Sequence, residues 1–128
     1  MRRRKQPHNH FYKTIDLHTL RGVMDYNPDT GDLRFKAPDN PDGMNAAIVD
    51  YATDRAGDEA ATGCMGDRRR GVLICGVVFS AVRLIWAMQH GVWPCQVFIR
   101  DNHESLAINN IFASRRNVPR SRIVEFTP

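Results

Sequence analysis

The stretch RRGVLICGVVFSAVRLIWAMQHGVWP, residues 69–94, constrains this chain more than any other. Between Val72 and Trp86 its apolar run is interrupted only by Gly76, Ser80 and Arg83. That is too short and too broken to span a bilayer, so the segment must find its partner inside a folded protein. Gly76 divides the first part into two β-segments, Val72–Cys75 and Val77–Phe79, which reads as a hairpin. Ser80 is then a helix N-cap, Val82, Ile85, Trp86 and Met88 form an apolar face, and Gly91 ends the helix. Trp93 and Pro94 close the unit; Trp86 and Trp93 offer stacking faces for bases, but their helical and proline-adjacent contexts favour packing in a core.

The remaining sequence supplies what this unit packs against. A chain of 128 residues with 42% hydrophobic and 25% charged residues has an ordinary globular composition and one domain's length. Residues 1–13 read as a basic tail, 14–116 as a single domain and 117–128 as a basic C-terminal tail. Thr14 or Asp16 is positioned to cap a short helix with Ile15, Leu17, Leu20 and Val23 on its apolar face. Asn27-Pro28-Asp29-Thr30-Gly31 is a turn, because proline fixes a negative φ and glycine accepts a positive one. Met24 and Tyr26 before it, and Leu33 and Phe35 after it, alternate at period two and predict a hairpin. Residues 37–66 lack a sustained apolar period and read as loop, with one short strand near Ala47–Val49. Val97–Arg100 reads as a strand. Ile108, Ile111 and Phe112 stand at helical spacing behind Ser105, which predicts a last short helix. The expected fold class is α+β.

Charge is unevenly spread around a net +4. Arg2, Arg3, Arg4 and Lys5 open the chain, whereas eight acidic side chains between Asp32 and Asp67 face only Arg34, Lys36 and Arg55. From Arg68 onward the balance is positive again, which excludes a uniformly basic coat. No hydrophobic stretch follows the basic N-terminus, so a secretory signal is not expected, and neither is a membrane partner. The three cysteines, Cys64, Cys75 and Cys95, are an odd number, and no two of them lie within ten residues. A disulfide scaffold is therefore not expected, and the cytoplasm is the expected compartment. With His90 and His103 these cysteines offer zinc ligands, but without the close pairs that structural zinc favours, so no metal or other cofactor is expected. Cys75 and Cys95 read as small buried hydrophobes. His8 and His10 fall in the tail.

Three stretches together resemble the phage HNH homing-endonuclease family of ββα-metal nucleases. MDYNPDTGDLRFK is similar to that family's N-terminal hairpin. The 69–94 stretch is similar to its glycine-bearing hairpin, Arg-Leu-Ile-Trp helix and Gly-x-Trp-Pro turn. AINNIF stands where members carry Asn-Arg-Ile-x-Asn-Leu-Arg. The likeness covers roughly residues 15 to 115 and implies a C-terminal ββα unit, here vestigial. In that family an Asp-His pair ends one strand and asparagines follow. A divalent metal such as Mg2+ stabilises the leaving oxygen, while the histidine deprotonates water. Matched at Asn110, the Asp-His pair falls on Val97-Phe98; shifted by one residue it falls on Phe98-Ile99. Neither pair supplies a hard ligand or a base. The histidine that members carry before Arg-Leu-Ile-Trp is Val82, and the distal ligand falls near Pro119 and Asn117. Asp101, His103 and Asn110 are the candidate catalytic residues only if the loop of Asp101 to Glu104 is rebuilt into a shifted metal site. The plain alternative is a solvated loop leading to Ser105, with Glu104 favouring a helix N-terminus.

Two readings follow. In the first, the chain is a catalytically degenerate, HNH-like DNA-binding protein, contacting phosphates through Arg2, Arg3, Arg4, Lys5, Arg68, Arg69, Arg70, Arg115, Arg116, Arg120 and Arg122. In the second, it is a phage-encoded inhibitor that binds a host or defence protein, such as a CRISPR-type nucleoprotein. Its acidic segment then occupies a basic groove. A working Mg2+-dependent nuclease using His103 is the third. Either a monomer or a homodimer through the exposed face of the 80–90 helix is compatible with this sequence.

Overall fold

In the computed structural model the described residues are 14–64, 70–94, 97–99 and 105–113. They form an α+β domain with three helices, a three-stranded sheet and two two-stranded sheets, all antiparallel. Helix α1, Leu17–Val23, starts where the Asp16 carboxylate accepts from the Thr19 backbone N–H at 3.0 Å. Leu20 and Val23 are buried, as is Ile15 just before the helix. Strands β1 (Met24–Tyr26) and β2 (Leu33–Phe35) follow, paired Met24↔Phe35 and Tyr26↔Leu33. This is the expected hairpin. Asn27 Oδ1 folds its turn by accepting from the Asp29 and Thr30 N–H groups.

Residues 37–66 correct the expectation of a loop. Helix α2, Ala46–Asp54, occupies their middle and takes up the region read as a short strand. The Asn45 side chain accepts from the Ile48 N–H at 3.2 Å, capping it. Only Ile48 and Ala52, one helical turn apart, are buried, so the helix carries too narrow an apolar stripe to announce itself.

Strands β3 (Gly63–Cys64), β4 (Arg70–Ile74) and β5 (Val77–Ser80) make the three-stranded sheet. The β4–β5 turn is the two residues Cys75 and Gly76, with φ of 51° and 83°. Positive φ at both centres is the turn whose twist matches a hairpin. Cys75 is therefore half-exposed at a turn tip, not the buried hydrophobe expected, and its thiol lies 3.5 Å from the Ala47 carbonyl. Val72, Ile74 and Phe79 point into the core. Leu73 and Val78, directly paired, point outward and are 47% and 37% exposed.

Helix α3, Ala81–His90, runs between the expected caps: Ser80 Oγ accepts from the Arg83 N–H, and left-handed Gly91 ends it. Its buried face is Ala81, Leu84, Ile85 and Ala87, with Val82, Trp86 and Met88 only half-buried, so the helix is rotated from the face first read. The rotation brings Arg83 inside at 2% exposure. Its Nε and Nη2 both donate to the Pro94 carbonyl, at 3.2 and 2.8 Å, which compensates the burial of a guanidinium. Trp93 is buried as expected and its Nε1 donates to the Ile15 carbonyl at 3.1 Å.

Strand β6, Val97–Ile99, pairs with β7, Ile111–Ala113, in the register Val97↔Ala113, Phe98↔Phe112 and Ile99↔Ile111. The predicted helix behind Ser105 is instead one 3-10 turn, Ile108–Asn110, followed at once by β7. Ile111 and Phe112 thus belong to a strand. The reason is tertiary: the Ile108 N–H donates to Pro28 O at 2.9 Å, and the sheet partner β6 claims the next three residues. No helix among the described residues is long and apolar enough to cross a membrane.

Candidate functional site

The segment that precedes β7 is seated on the N-terminal turn. Tyr26 Oη donates to the Leu106 carbonyl, Ile108 N–H donates to Pro28 O, and Leu106 is 2% exposed. Gly31, φ 84°, lies so close that a Cβ there would meet Ala107 N and Leu106 C at 2.6 Å. Backbone meets backbone only because that side chain is missing. The Thr-Gly of the first hairpin is thus the seat on which residues 105–110 are positioned.

Asn110 stands in this seated segment. Its Nδ2 donates to the Ser105 carbonyl at 3.1 Å and its backbone N–H donates to Ala107 O, so it closes the turn that it ends. Val97 and Phe98, the positions that match the family's Asp-His pair, are strand residues opposite Ala113 and Phe112. Val82 lies half-buried on α3. Asp101 and His103 lie outside the described residues, as do Glu104, Asn117 and Pro119.

Of the expected phosphate contacts, only Arg70 is described. It begins β4 opposite Cys64, and its Nε donates to the Ala61 carbonyl at 3.1 Å. Arg68 and Arg69 fall in the connection between β3 and β4, and Arg115 and Arg116 follow β7. These four, with Arg2, Arg3, Arg4, Lys5, Arg120 and Arg122, lie outside the described residues. Among the zinc candidates, Cys95 and His103 also lie outside them, and Cys75 and His90 sit on different elements. Among the described residues no group of three or more His, Cys, Asp or Glu side chains could hold a metal ion.

Arg70 also borders a shallow polar cleft of about 180 Å³, with Thr30, Gly31, Asp32, Leu33, Glu59 and Leu106. Asp32 there pairs with Arg34 at 2.8 Å, both about half-exposed, and this holds the guanidinium still more firmly protonated. An exposed pair of this kind contributes little stability. Cationic and aromatic side chains absent from the expected site lie elsewhere. Arg21 of α1 donates twice to the Met88 carbonyl at the end of α3, and the Trp86 and His90 rings stack 3.8 Å apart. The stack was legible as a four-residue spacing on one helix; the reach of Arg21 was not, because its acceptor lies 67 residues away.

Burial pushes the Tyr26 hydroxyl up from 10.0 to about 12. Its folded value exceeds its unfolded one, so its contribution is fully present below pH 10 and is lost as pH rises from 10 to about 12. Tyr26→Phe is expected to cost about 1 kcal/mol at neutral pH, from the lost hydrogen bond to Leu106. It is also expected to flatten the alkaline fall in stability over that window, read by urea denaturation at successive pH values.

Comparison of the chain with protein-family models, with curated proteins and with solved structures returns no match.

Proposed function

We propose that this protein binds DNA through phosphate-contacting arginines and does not cleave it, as a degenerate relative of the HNH nucleases that its sequence resembles. One observation supports the reading: Val97 and Phe98, which the resemblance aligns with the carboxylate and base such a nuclease needs, are strand residues paired with Ala113 and Phe112. Neither residue type can take a proton or bind a hard cation. The arginines support the binding half. Arg68, Arg69 and Arg70 lead into β4, and Arg115 and Arg116 follow directly on β7, so basic residues flank two sheets in sequence. Guanidinium forks match phosphate oxygens in geometry and charge.

If six of these charges neutralise phosphates, log K falls against log salt with a slope of about −5, an affinity loss of roughly a thousandfold between 50 and 200 mM salt. Fluorescence anisotropy on unrelated duplexes checks this, with plasmid nicking in Mg2+ or Mn2+ alongside. Duplex binding with little sequence preference, a steep salt slope and no nicking is the expected result. No retardation of DNA at low salt removes the reading. Nicking abolished by His103→Ala replaces it with a working nuclease.

One observation favours a second reading, the protein-binding inhibitor. Leu73 and Val78 form an outward-facing apolar pair in register on the β4–β5 hairpin. A protein partner is the class of ligand that covers such a pair. Leu73→Lys with Val78→Lys then abolishes capture of a stoichiometric protein from nuclease-treated host lysate while DNA retardation persists; capture by the double variant counts against it.

A further inference from the structure

The C-terminal end of α3 carries Trp86 and His90, one turn apart, and meets Arg21 of α1; core packing accounts only for Trp86. The Trp86 and His90 rings stack with centroids 3.8 Å apart and planes inclined by 33°. Trp86 is half-buried, its inner side packed against the core, whereas His90 is exposed, so the imidazole is the solvent side of a two-ring stack. Arg21, also exposed, is fixed at the same end of α3: Nε and Nη2 donate to the Met88 carbonyl at 3.0 and 2.8 Å. The guanidinium lies against Gly91, where a Cβ would stand 3.5 Å from Nη2. Among the described residues no ion pair forms at Arg21, so a cation and a two-ring stack share this end of α3.

We propose that this end of α3 is a stacking site for an unpaired base of single-stranded DNA, with His90 as the outer ring and Arg21 facing the adjoining phosphate. The proposal rests on the DNA-binding reading and extends it from duplex phosphates to an exposed base. Each element has a chemical reason. Every base presents a π-face, so a two-ring stack accepts any of them. A guanidinium held by two hydrogen bonds to one carbonyl loses little further freedom on meeting a phosphate. The comparison with Trp93 shows that not every aromatic residue here qualifies: its indole is buried and its Nε1 is engaged by Ile15. His90, by contrast, is exposed and adds nothing to the core: helical spacing brings its ring onto Trp86, and core packing gives no reason for an imidazole there.

The test compares oligo-dT with an abasic oligomer of the same length and phosphate count, by fluorescence anisotropy at fixed low salt. The wild-type chain is expected to bind oligo-dT about five-fold tighter or more, the range of one base stacked on one ring. His90→Ala brings the two affinities together, and His90→Phe restores the preference; thermal midpoints identify any variant that fails to fold. Equal affinity of the wild type for the two oligomers overturns the proposal, as does a preference that survives His90→Ala. Duplex binding retained without any base preference removes the stacking site alone. Loss of both duplex and single-strand binding removes the DNA reading with it.

Discussion

Gly31→Ala is expected to lower the unfolding free energy by about 3 kcal/mol, far more than one added methyl group ordinarily costs. Two effects combine. With φ at 84°, a residue other than glycine is held in the left-handed region, which costs about 1 kcal/mol or more. The added Cβ would also stand 2.6 Å from backbone atoms of Leu106 and Ala107, and backbone, unlike a flexible side-chain tip, cannot swing aside. Residues 105–107 must lift. Lifting them exposes Leu106, whose burial is worth about 2 kcal/mol, and breaks the Tyr26–Leu106 and Ile108–Pro28 hydrogen bonds. Gly76→Ala is the control. Its φ is 83°, but a Cβ there has nothing within 4 Å, so only the backbone cost of about 1 kcal/mol remains. Urea denaturation measures both, and amide exchange at Ile108 reports the seat directly. A Gly31→Ala loss no larger than that of Gly76→Ala would mean the seat contributes nothing. Combined with Leu106→Ala, the variant should be strongly non-additive, because both remove the same contact.

That seat also marks where sequence reasoning stops. The caps of α3 are legible because Ser80 and Gly91 bracket an apolar interval of one helix's length, and the two hairpins because Gly31 and Gly76 stand in their turns at positive φ. Residues 105–113 mislead because Ile108, Ile111 and Phe112 have helical spacing, while their conformation is decided by Pro28 and β6. Local periodicity cannot register a hydrogen bond to a carbonyl 80 residues back. Helix α2 escapes for the opposite reason: two buried residues in nine are too weak a pattern, and the cap Asn45 looks like any loop asparagine. Arg83 was read as a break in an apolar run, yet the Pro94 carbonyl lets the helix bury it.

The candidate site divides along the same line. That Val97 and Phe98 can neither bind a hard cation nor take a proton is legible from residue identity alone, and the β6–β7 register adds that both positions are strand. Asn110 closes its own turn through Ser105, a local role that residue identity could not distinguish from ligation. The arginines were legible as clusters, but one of them, Arg70, also serves the fold by holding Ala61. A phosphate contact there must therefore compete with, or add to, an existing hydrogen bond.

Trp93→Ala should be the most damaging single truncation at the junction between α3 and the β6–β7 hairpin, costing about 4 kcal/mol. The ring is buried, its Nε1 donates to Ile15 O, and the Arg83 guanidinium sits 5.5 Å from its centroid. Removing it leaves a cavity, an unpaired Ile15 carbonyl, and a buried guanidinium without its aromatic neighbour. Trp93→Phe separates these contributions, because it retains most of the apolar volume and loses only the donor; its expected cost is about 1.5 kcal/mol. Arg83→Ala attacks the same junction from the helix side, so the two truncations together should cost less than their sum. Since Trp93 and Pro94 lead towards β6, the DNA-binding proposal makes the consequence functional as well. Loosening the junction should weaken DNA binding alongside stability if the hairpin and the residues following β7 contribute to that surface. Chemical denaturation and anisotropy on the same protein preparations decide it: a Trp93→Phe cost equal to that of Trp93→Ala would show that the hydrogen bond to Ile15, and not the buried ring, holds the junction together.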